Sequence, residues 1–168
     1  TMSFFIRALG QRLRSGELHE VLAVATSEQT ARRAYSAGIP LTTLDDHSRL
    51  DIAIDGADEV DADLNLIKGL GRALLREKVV AMHSQSLLIV VDSSKLVSLL
   101  GTRGPLPLEL VPFAAAAQLH WLGTLGCRVE IWRDDGGVPF LTDNGNQLAR
   151  LWFEEGINEP EVLARDLE

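Results

Sequence analysis

The chain has 168 residues, of which 46% are hydrophobic, and this is enough apolar material for one sizeable core or two small ones. Its formal net charge of −8 argues against the broad basic surface that nucleic-acid backbones require, but it leaves room for a small phosphorylated ligand. No apolar run approaches the length of a membrane span and the N-terminal residues carry no signal-peptide pattern, so we expect a soluble protein that binds neither nucleic acid nor membrane.

The first part of the chain alternates between extended and helical patterns. The predicted strands are 21–26, 50–55 and 87–92, and the predicted helices are 4–14, about 27–37 and 71–84. Strands that alternate with helices predict an α/β fold with a mainly parallel, Rossmann-like sheet flanked by helices.

The pattern changes near the turn at 101–105, and we predict a domain boundary there, with domains 1–103 and 104–168. The later predicted strands are 106–111, 128–133, 138–143 and about 147–153, and the later helices are 113–126 and 160–167. This order resembles a small α+β domain with a split βαβ, ferredoxin-like layout. Both chain ends look incomplete, because no strand precedes the first helix and none follows the last.

The chain contains a single cysteine, Cys127. One cysteine forms no internal disulfide, so we expect a reducing, cytoplasmic setting. A lone cysteine is more often a small buried apolar residue than a nucleophile, and Cys127 is interpreted in that way.

Three carboxylates follow the strand predicted at 50–55, in the stretch Asp55-Gly56-Ala57-Asp58-Glu59. Taken alone, the cluster is compatible with a solvated turn, a helix cap, a metal site or the acid–base groups of an active site. The carboxyl ends of strands in an open α/β sheet are where ligands bind, which keeps the last interpretation open. The acidic residues that follow do not match a calcium-loop pattern and the four histidines are scattered, so no metal is expected.

A lysine and two glycines lie just before or at the start of the helix predicted at 71–84. In the order Lys68-Gly69-Leu70-Gly71 they can present backbone N–H groups and one ammonium to an anion, although such turns are common. Glu77 has apolar residues three and four positions away, so its carboxylate would be partly desolvated and a better base near neutral pH. Helix periodicity alone favours an exposed Glu77 that pairs with a nearby arginine or lysine.

A second polar loop, Asp92-Ser93-Ser94-Lys95, follows the strand predicted at 87–92. It places a cation at another carboxyl strand end. The pattern is equally compatible with an ordinary capped turn and with contact between Lys95 and a ligand.

Five motifs together resemble one family, ribose-5-phosphate isomerase of the A type. They are DGADEVD (55–61), KGLGRALLREK (68–78), VDSSK (91–95), GPLPLELVPFA (104–114) and LTDNGN (141–146). With weaker similarity over 26–41, the resemblance covers nearly the whole chain in matching order and spacing. It implies a small sugar-phosphate substrate, no cofactor, and assembly as a homodimer or homotetramer.

The resemblance also implies which residues act. Those implied in acid–base chemistry are Asp55, Asp58, Lys68 and Glu77, and those implied in substrate binding are Thr1, Lys95, Gly69 and Gly71. Thr1 would be the last residue of a phosphate loop, and family segments beyond both chain ends have no counterpart here. Leu70 and Arg72 stand where the family usually has glycine, which places a long cation close to the expected site.

Two functions from different classes agree with these residues. An aldose–ketose isomerase would interconvert ribose 5-phosphate and ribulose 5-phosphate without metal, by moving a proton between C1 and C2 through an enediolate. Glu77 would be the base, Lys68 would stabilise oxyanion charge, and an aspartate would open the sugar ring and shuttle protons. A non-catalytic sugar-phosphate-binding module would not need all four acid–base residues, so the isomerase is favoured. An inactive, truncated isomerase is a third alternative.

Overall fold

The computed structural model describes residues 2–167, and these form two compact units that interleave along the chain. The first unit comprises the residues up to Gly56 together with Leu75–Val91. The second comprises Ala57–Leu74 together with the residues from Asp92 onward. Each compact unit is made of two segments of the chain, whereas the predicted domains, 1–103 and 104–168, are each one continuous segment. The predicted division into domains stays a prediction.

The helices of residues 2–167 are α1 (Met2–Arg14), α2 (Glu28–Ser36), α3 (Leu74–Met82), α4 (Ala115–Gly123) and α5 (Pro160–Leu167). The strands are β1 (Ala53–Asp55), β2 (Glu59–Val60), β3 (Leu66–Ile67), β4 (Leu87–Ile89), β5 (Leu106–Leu110), β6 (Arg128–Ile131) and β7 (Gln147–Trp152). In this part of the chain, no helix is both long and apolar enough to cross a membrane.

The first unit is organised by parallel strand pairing. β1 pairs in parallel with β4, in a register that places Asp55 beside Ile89. Parallel bridges between Ala23 and Leu41 and between Leu50 and Ser84 extend the same kind of pairing. Parallel neighbours need a long crossover between them, and α3 lies in the crossover from β1 to β4. The predicted α/β class with parallel strands and helices is confirmed.

Helices α1 and α2 build the core of the first unit. The Ser27 hydroxyl accepts the Thr30 N–H at 3.0 Å, which caps α2 as its sequence predicts. Ile6 of α1 packs with Ala34 of α2 and with buried Ile39. A Cβ added at Gly10 of α1 would lie 2.5 Å from the Ala37 carbonyl oxygen, so only glycine permits this approach.

The second unit contains a short hairpin and a larger sheet. β2 and β3 form the antiparallel hairpin, and the antiparallel sheet has the order β5-β7-β6. One face of this sheet packs against α4, where Leu122 is 1% exposed. Ala149 and Leu151 of β7 are fully buried in the same cluster. Leu167 of α5 also packs against it, so helices cover this face of the sheet.

Two predicted strands shrink to isolated bridges, each beside a proline. Within 21–26 only Ala23 pairs, and its partner segment contains Pro40. Within 138–143 only Pro139 and Leu141 pair. Proline has no N–H to donate to a strand ladder, so longer pairing is interrupted at both places.

The segment between the predicted strand at 50–55 and the predicted helix at 71–84 is more structured than expected. The sequence pattern does not predict the hairpin of β2 and β3, whose turn is closed by the Asp61 carboxylate, which accepts the N–H groups of Asp63 and Asn65. The helix begins at Leu74 rather than at residue 71, because Gly69 and Arg72 adopt positive φ angles that a regular helix does not contain.

Candidate active site

Asp55 is the last residue of β1, in the first unit. Its carbonyl oxygen accepts the Val90 N–H at 2.8 Å, and its carboxylate accepts the Gly56 N–H at 2.7 Å. The side chain is half-buried. Strand pairing therefore holds the backbone of Asp55, and the predicted position at a carboxyl strand end is confirmed.

Glu77 lies in the first turn of α3, also in the first unit. The macrodipole of a helix favours a negative side chain at this place. Glu77 is half-buried, and Val80, one turn further on, is 8% exposed. Glu77 is thus partly shielded from water beside a buried apolar residue, and its role as a base stays a prediction.

Asp58 lies in the second unit and is hydrogen-bonded to the glycine-rich loop, which comprises residues 68–72. Its N–H donates to the Ile67 carbonyl oxygen at 2.8 Å, directly before β2 and β3 pair. Its carboxylate accepts the Leu70 N–H at 2.9 Å. Asp58 is thus brought together with the loop that starts at Lys68, although twelve positions separate it from Leu70 in the sequence.

Glu59 is buried, whereas the neighbouring carboxylates of Asp55 and Asp58 are half-buried. Its side chain is 3% exposed, and its two carboxylate oxygens accept three backbone N–H groups. These belong to Gly101 at 2.7 Å, Arg103 at 3.0 Å and Gly104 at 3.1 Å. A buried carboxylate with these partners organises the loop at 101–104, and its hydrogen bonds distinguish it from Asp55 and Asp58.

Two backbone donors of the glycine-rich loop after β3 bond within the protein, and the predicted anion contacts of Lys68, Gly69 and Gly71 stay a prediction. The Leu70 N–H is taken by Asp58 and the Arg72 N–H donates to the Gly69 carbonyl oxygen at 2.9 Å, so these two donors are used inside the protein. Gly69 has a φ of +114° and is buried, and a Cβ added there would lie 3.1 Å from Cβ of Pro107. Lys68 is half-buried and Gly71 is exposed.

Arg72 does not extend freely from that loop. Its guanidinium lies 4.9 Å from the ring centroid of Trp132 and 4.4 Å from that of Phe140. Sequence reasoning missed these two aromatic residues, and no signal in the sequence identifies them, because they lie 60 or more positions away. The long side chain of Arg72 is therefore packed against residues of its own unit, the second.

The loop after β4 forms a short 3₁₀ turn over Ser93–Lys95. Asp92 caps this turn by accepting the Ser94 N–H at 2.9 Å, and hydrogen bonds from Ser94 lower the pKa of the Asp92 carboxyl. Lys95 is half-buried at the end of the turn. Both interpretations of this loop, a capped turn and a ligand contact, are compatible with this geometry. Thr1, the other predicted binding residue, lies outside the described residues.

The model for the family ribose 5-phosphate isomerase A (phosphoriboisomerase A) matches residues 22–168 of the chain. A ribose-5-phosphate isomerase A of Roseiflexus castenholzii is 48% identical over 164 residues, which cover 98% of this chain and 70% of the relative. One from Chloroflexus aurantiacus is 47% identical over 167 residues, which cover 99% of this chain and 70% of the relative.

Solved structures of the same family are also similar to this chain. The ribose 5-phosphate isomerase A of Methanocaldococcus jannaschii is 36% identical with a TM-score of 0.92, over 98% of this chain and 72% of that one. The ribose 5-phosphate isomerase of Plasmodium falciparum is 40% identical with a TM-score of 0.88, over 94% and 68%. These similarities define the chain as an α/β aldose–ketose isomerase with the predicted Rossmann-like fold. Within that class, it belongs to the ribose 5-phosphate isomerase A family.

Proposed function

We propose that this chain interconverts D-ribose 5-phosphate and D-ribulose 5-phosphate by proton transfer through an enediolate, without a metal or other cofactor. The observation that carries the proposal is that the family match over 22–168 includes three carboxylates suited to the proton transfers and a lysine suited to stabilising the negative charge of the enediolate. They are Asp55, Asp58, Lys68 and Glu77.

Glu77 is the proposed base. It takes the proton from C2 of the open-chain aldose, the electron pair forms the C1–C2 double bond of the enediolate, and the same carboxylic acid returns the proton to C1. One carboxylate can serve both carbons, because they are adjacent. The half-buried place of Glu77 on α3 supports this role, since partial burial keeps water from competing for the proton.

Lys68 is proposed to stabilise the negative charge that develops on the oxygens of the enediolate. An ammonium held by a well-defined loop is suited to this task, because its position costs no reorganisation during the reaction. Asp58 supports it by accepting the Leu70 N–H two positions after Lys68. Asp55 or Asp58 opens the sugar ring and moves the hydroxyl proton between O2 and O1.

Lys95, Gly69 and Gly71 are proposed to contact the substrate, together with Thr1 near its phosphate. We further propose that the chain assembles as a homodimer or homotetramer and works in the cytoplasm. The family resemblance supports the assembly, and the single Cys127, which forms no internal disulfide, supports the reducing compartment. Light scattering on the purified chain tests the assembly, and a monomer at all concentrations would contradict it.

The test of the function is Glu77→Gln, assayed for ribulose 5-phosphate formed from ribose 5-phosphate. Glutamine keeps the size of the side chain but accepts no proton, so turnover should fall by roughly 10²-fold or more. Glu28→Gln is the matched control, because Glu28 also lies in the first turn of a helix, α2, and is exposed. Activity of Glu77→Gln within a few-fold of the wild type would contradict the proposed base.

Two further results separate the alternatives. Wild-type chain that binds ribose 5-phosphate in calorimetry but shows no turnover would favour the non-catalytic binding module. Turnover that is lost on adding EDTA and restored by a divalent cation would contradict a proton-transfer mechanism that uses side chains alone.

A further inference from the structure

The sheet of the second unit has two unlike faces. Side chains alternate between faces along a strand, and the face opposite the apolar core carries arginine, glutamate and tryptophan. Arg128 of β6 lies opposite Trp152 of β7, and its guanidinium is 5.1 Å from that ring centroid. Arg150 of β7 lies opposite Glu130 and donates to its carboxylate at 3.3 Å. This polar face is built from contacts of arginine with aromatic rings and with a carboxylate.

The glycine-rich loop docks on this polar face through Arg72. Trp132 follows β6, and the guanidinium groups of both Arg72 and Arg150 lie over its ring, at 4.9 Å and 5.4 Å from the centroid. Phe140 gives Arg72 a second ring at 4.4 Å. Cations are attracted to the faces of aromatic rings within about 6 Å, and a planar guanidinium also stacks on them. A Cβ added at Gly69 would lie 3.1 Å from Cβ of Pro107 in β5, so the loop also runs close to this sheet at Gly69.

The backbone of Arg72 is unusual for its residue type. Its φ is +69°, in the left-handed region where side chains other than glycine are disfavoured, and its N–H closes a turn onto the Gly69 carbonyl oxygen. Such a conformation persists where the surroundings hold it. In this turn the Arg72 guanidinium contacts the rings of Trp132 and Phe140.

We propose that Arg72 is a positioning residue: its guanidinium, stacked on Trp132 and Phe140, holds the loop that carries Lys68. The loop is then held at both ends of a short span, by Asp58 at the Leu70 N–H and by Arg72 two positions later. In this role Arg72 acts through the loop and not on the substrate. The inference rests on the proposed function, because a loop that orders Lys68 matters for turnover only if Lys68 takes part in it.

The test compares Arg72→Met with Arg128→Met in the full chain. Both changes remove a guanidinium from a tryptophan ring on the same sheet face, but only Arg72 belongs to the loop. Hydrogen exchange should become faster at the Leu70 and Arg72 amides in Arg72→Met and stay unchanged there in Arg128→Met. We expect kcat to fall roughly tenfold in Arg72→Met with little change in KM, since displaced catalytic groups lose rate more than binding.

A double-mutant cycle with Trp132→Leu measures the coupling between Arg72 and Trp132, and a general loss of stability would not produce such coupling. If the stacked groups act as a unit, Arg72→Met should cost less kcat in the Trp132→Leu background than in the wild type, and the part that remains belongs to the contact with Phe140. Arg72→Lys should recover part of the rate, because lysine keeps a cation for the rings without the planar guanidinium.

Unchanged loop exchange in Arg72→Met would overturn the proposal, and so would a loosened loop with normal kcat. Additive effects of Arg72→Met and Trp132→Leu would overturn it as well. Lys68→Met separates this outcome from failure of the proposed function. If Lys68→Met is fully active, the role of Lys68 is wrong; if it is inactive while Arg72→Met is normal, only the positioning role is wrong.

Discussion

Replacing Glu59 by glutamine is expected to destabilise the second unit strongly although it changes one atom. The buried carboxylate accepts the Gly101 N–H on one oxygen and the Arg103 and Gly104 N–H groups on the other. Glutamine can keep its carbonyl oxygen toward one side only. Its NH₂ group then faces a backbone donor, and at least one buried N–H loses its acceptor.

The size of the effect follows from these contacts. An unsatisfied buried donor costs about 1–3 kcal/mol. The remaining hydrogen bonds also weaken, because bonds to an ionised acceptor are roughly twice as strong as those to a neutral one. Together these terms predict a loss of about 2–4 kcal/mol in the free energy of unfolding of Glu59→Gln.

Urea titration followed by circular dichroism measures this loss. Glu161→Gln is the control, because Glu161 is exposed and its replacement should change the free energy by less than about 0.5 kcal/mol. Folded Glu59→Gln should keep most of its turnover, whereas Asp58→Asn, one residue away, should lose it. A loss below about 1 kcal/mol in Glu59→Gln would refute the reasoning that these three hydrogen bonds organise the loop at 101–104.

Two further predictions concern single positions. Gly69→Ala should destabilise the chain by roughly 1–3 kcal/mol, because φ is +114° and the new Cβ would lie 3.1 Å from Cβ of Pro107; an unchanged urea midpoint would contradict this. Cys127 should react slowly with iodoacetamide at pH 8, because burial raises the pKa of its thiol and the thiolate is the nucleophile. Its rate should increase as the pH rises toward that pKa and should be higher in urea-unfolded chain at every pH; equal rates for folded and unfolded chain would be the contrary result.

Local signals in the sequence were sufficient for most regular elements. The helix predicted at 4–14 is α1, and Ser27 caps α2 as expected. The strands expected at 106–111 and 128–133 contain β5 and β6. These elements depend on apolar periodicity and on a cap that acts within four residues, and both are properties of a short stretch of chain.

The elements that the sequence did not reveal depend on distant partners. Two predicted strands keep only isolated bridges, one within 21–26 and two within 138–143, because Pro40 and Pro139 have no N–H to donate to a ladder. The hairpin of β2 and β3 has strands of only two residues, too short for an alternating pattern to be visible. The Asx-type turn at Asp61 and Asn65 was the available signal for it.

By itself, the sequence determined the α/β class and the family, and it singled out the acidic stretch at 55–59, because residue types and their spacing are local and are read without coordinates. The resemblance already assigned acid–base roles to Asp55 and Asp58 and not to Glu59, but only the tertiary structure gave the contacts that distinguish the three carboxylates. Asp55 ends a paired strand, Asp58 holds the Leu70 N–H, and Glu59 is buried on three amides that lie more than forty positions away. The partners of Arg72 were likewise decided by folding. Hydrogen bonds and ring contacts act over a few ångströms of space, and a sequence shows neither which distant donors a carboxylate meets nor which rings a guanidinium covers.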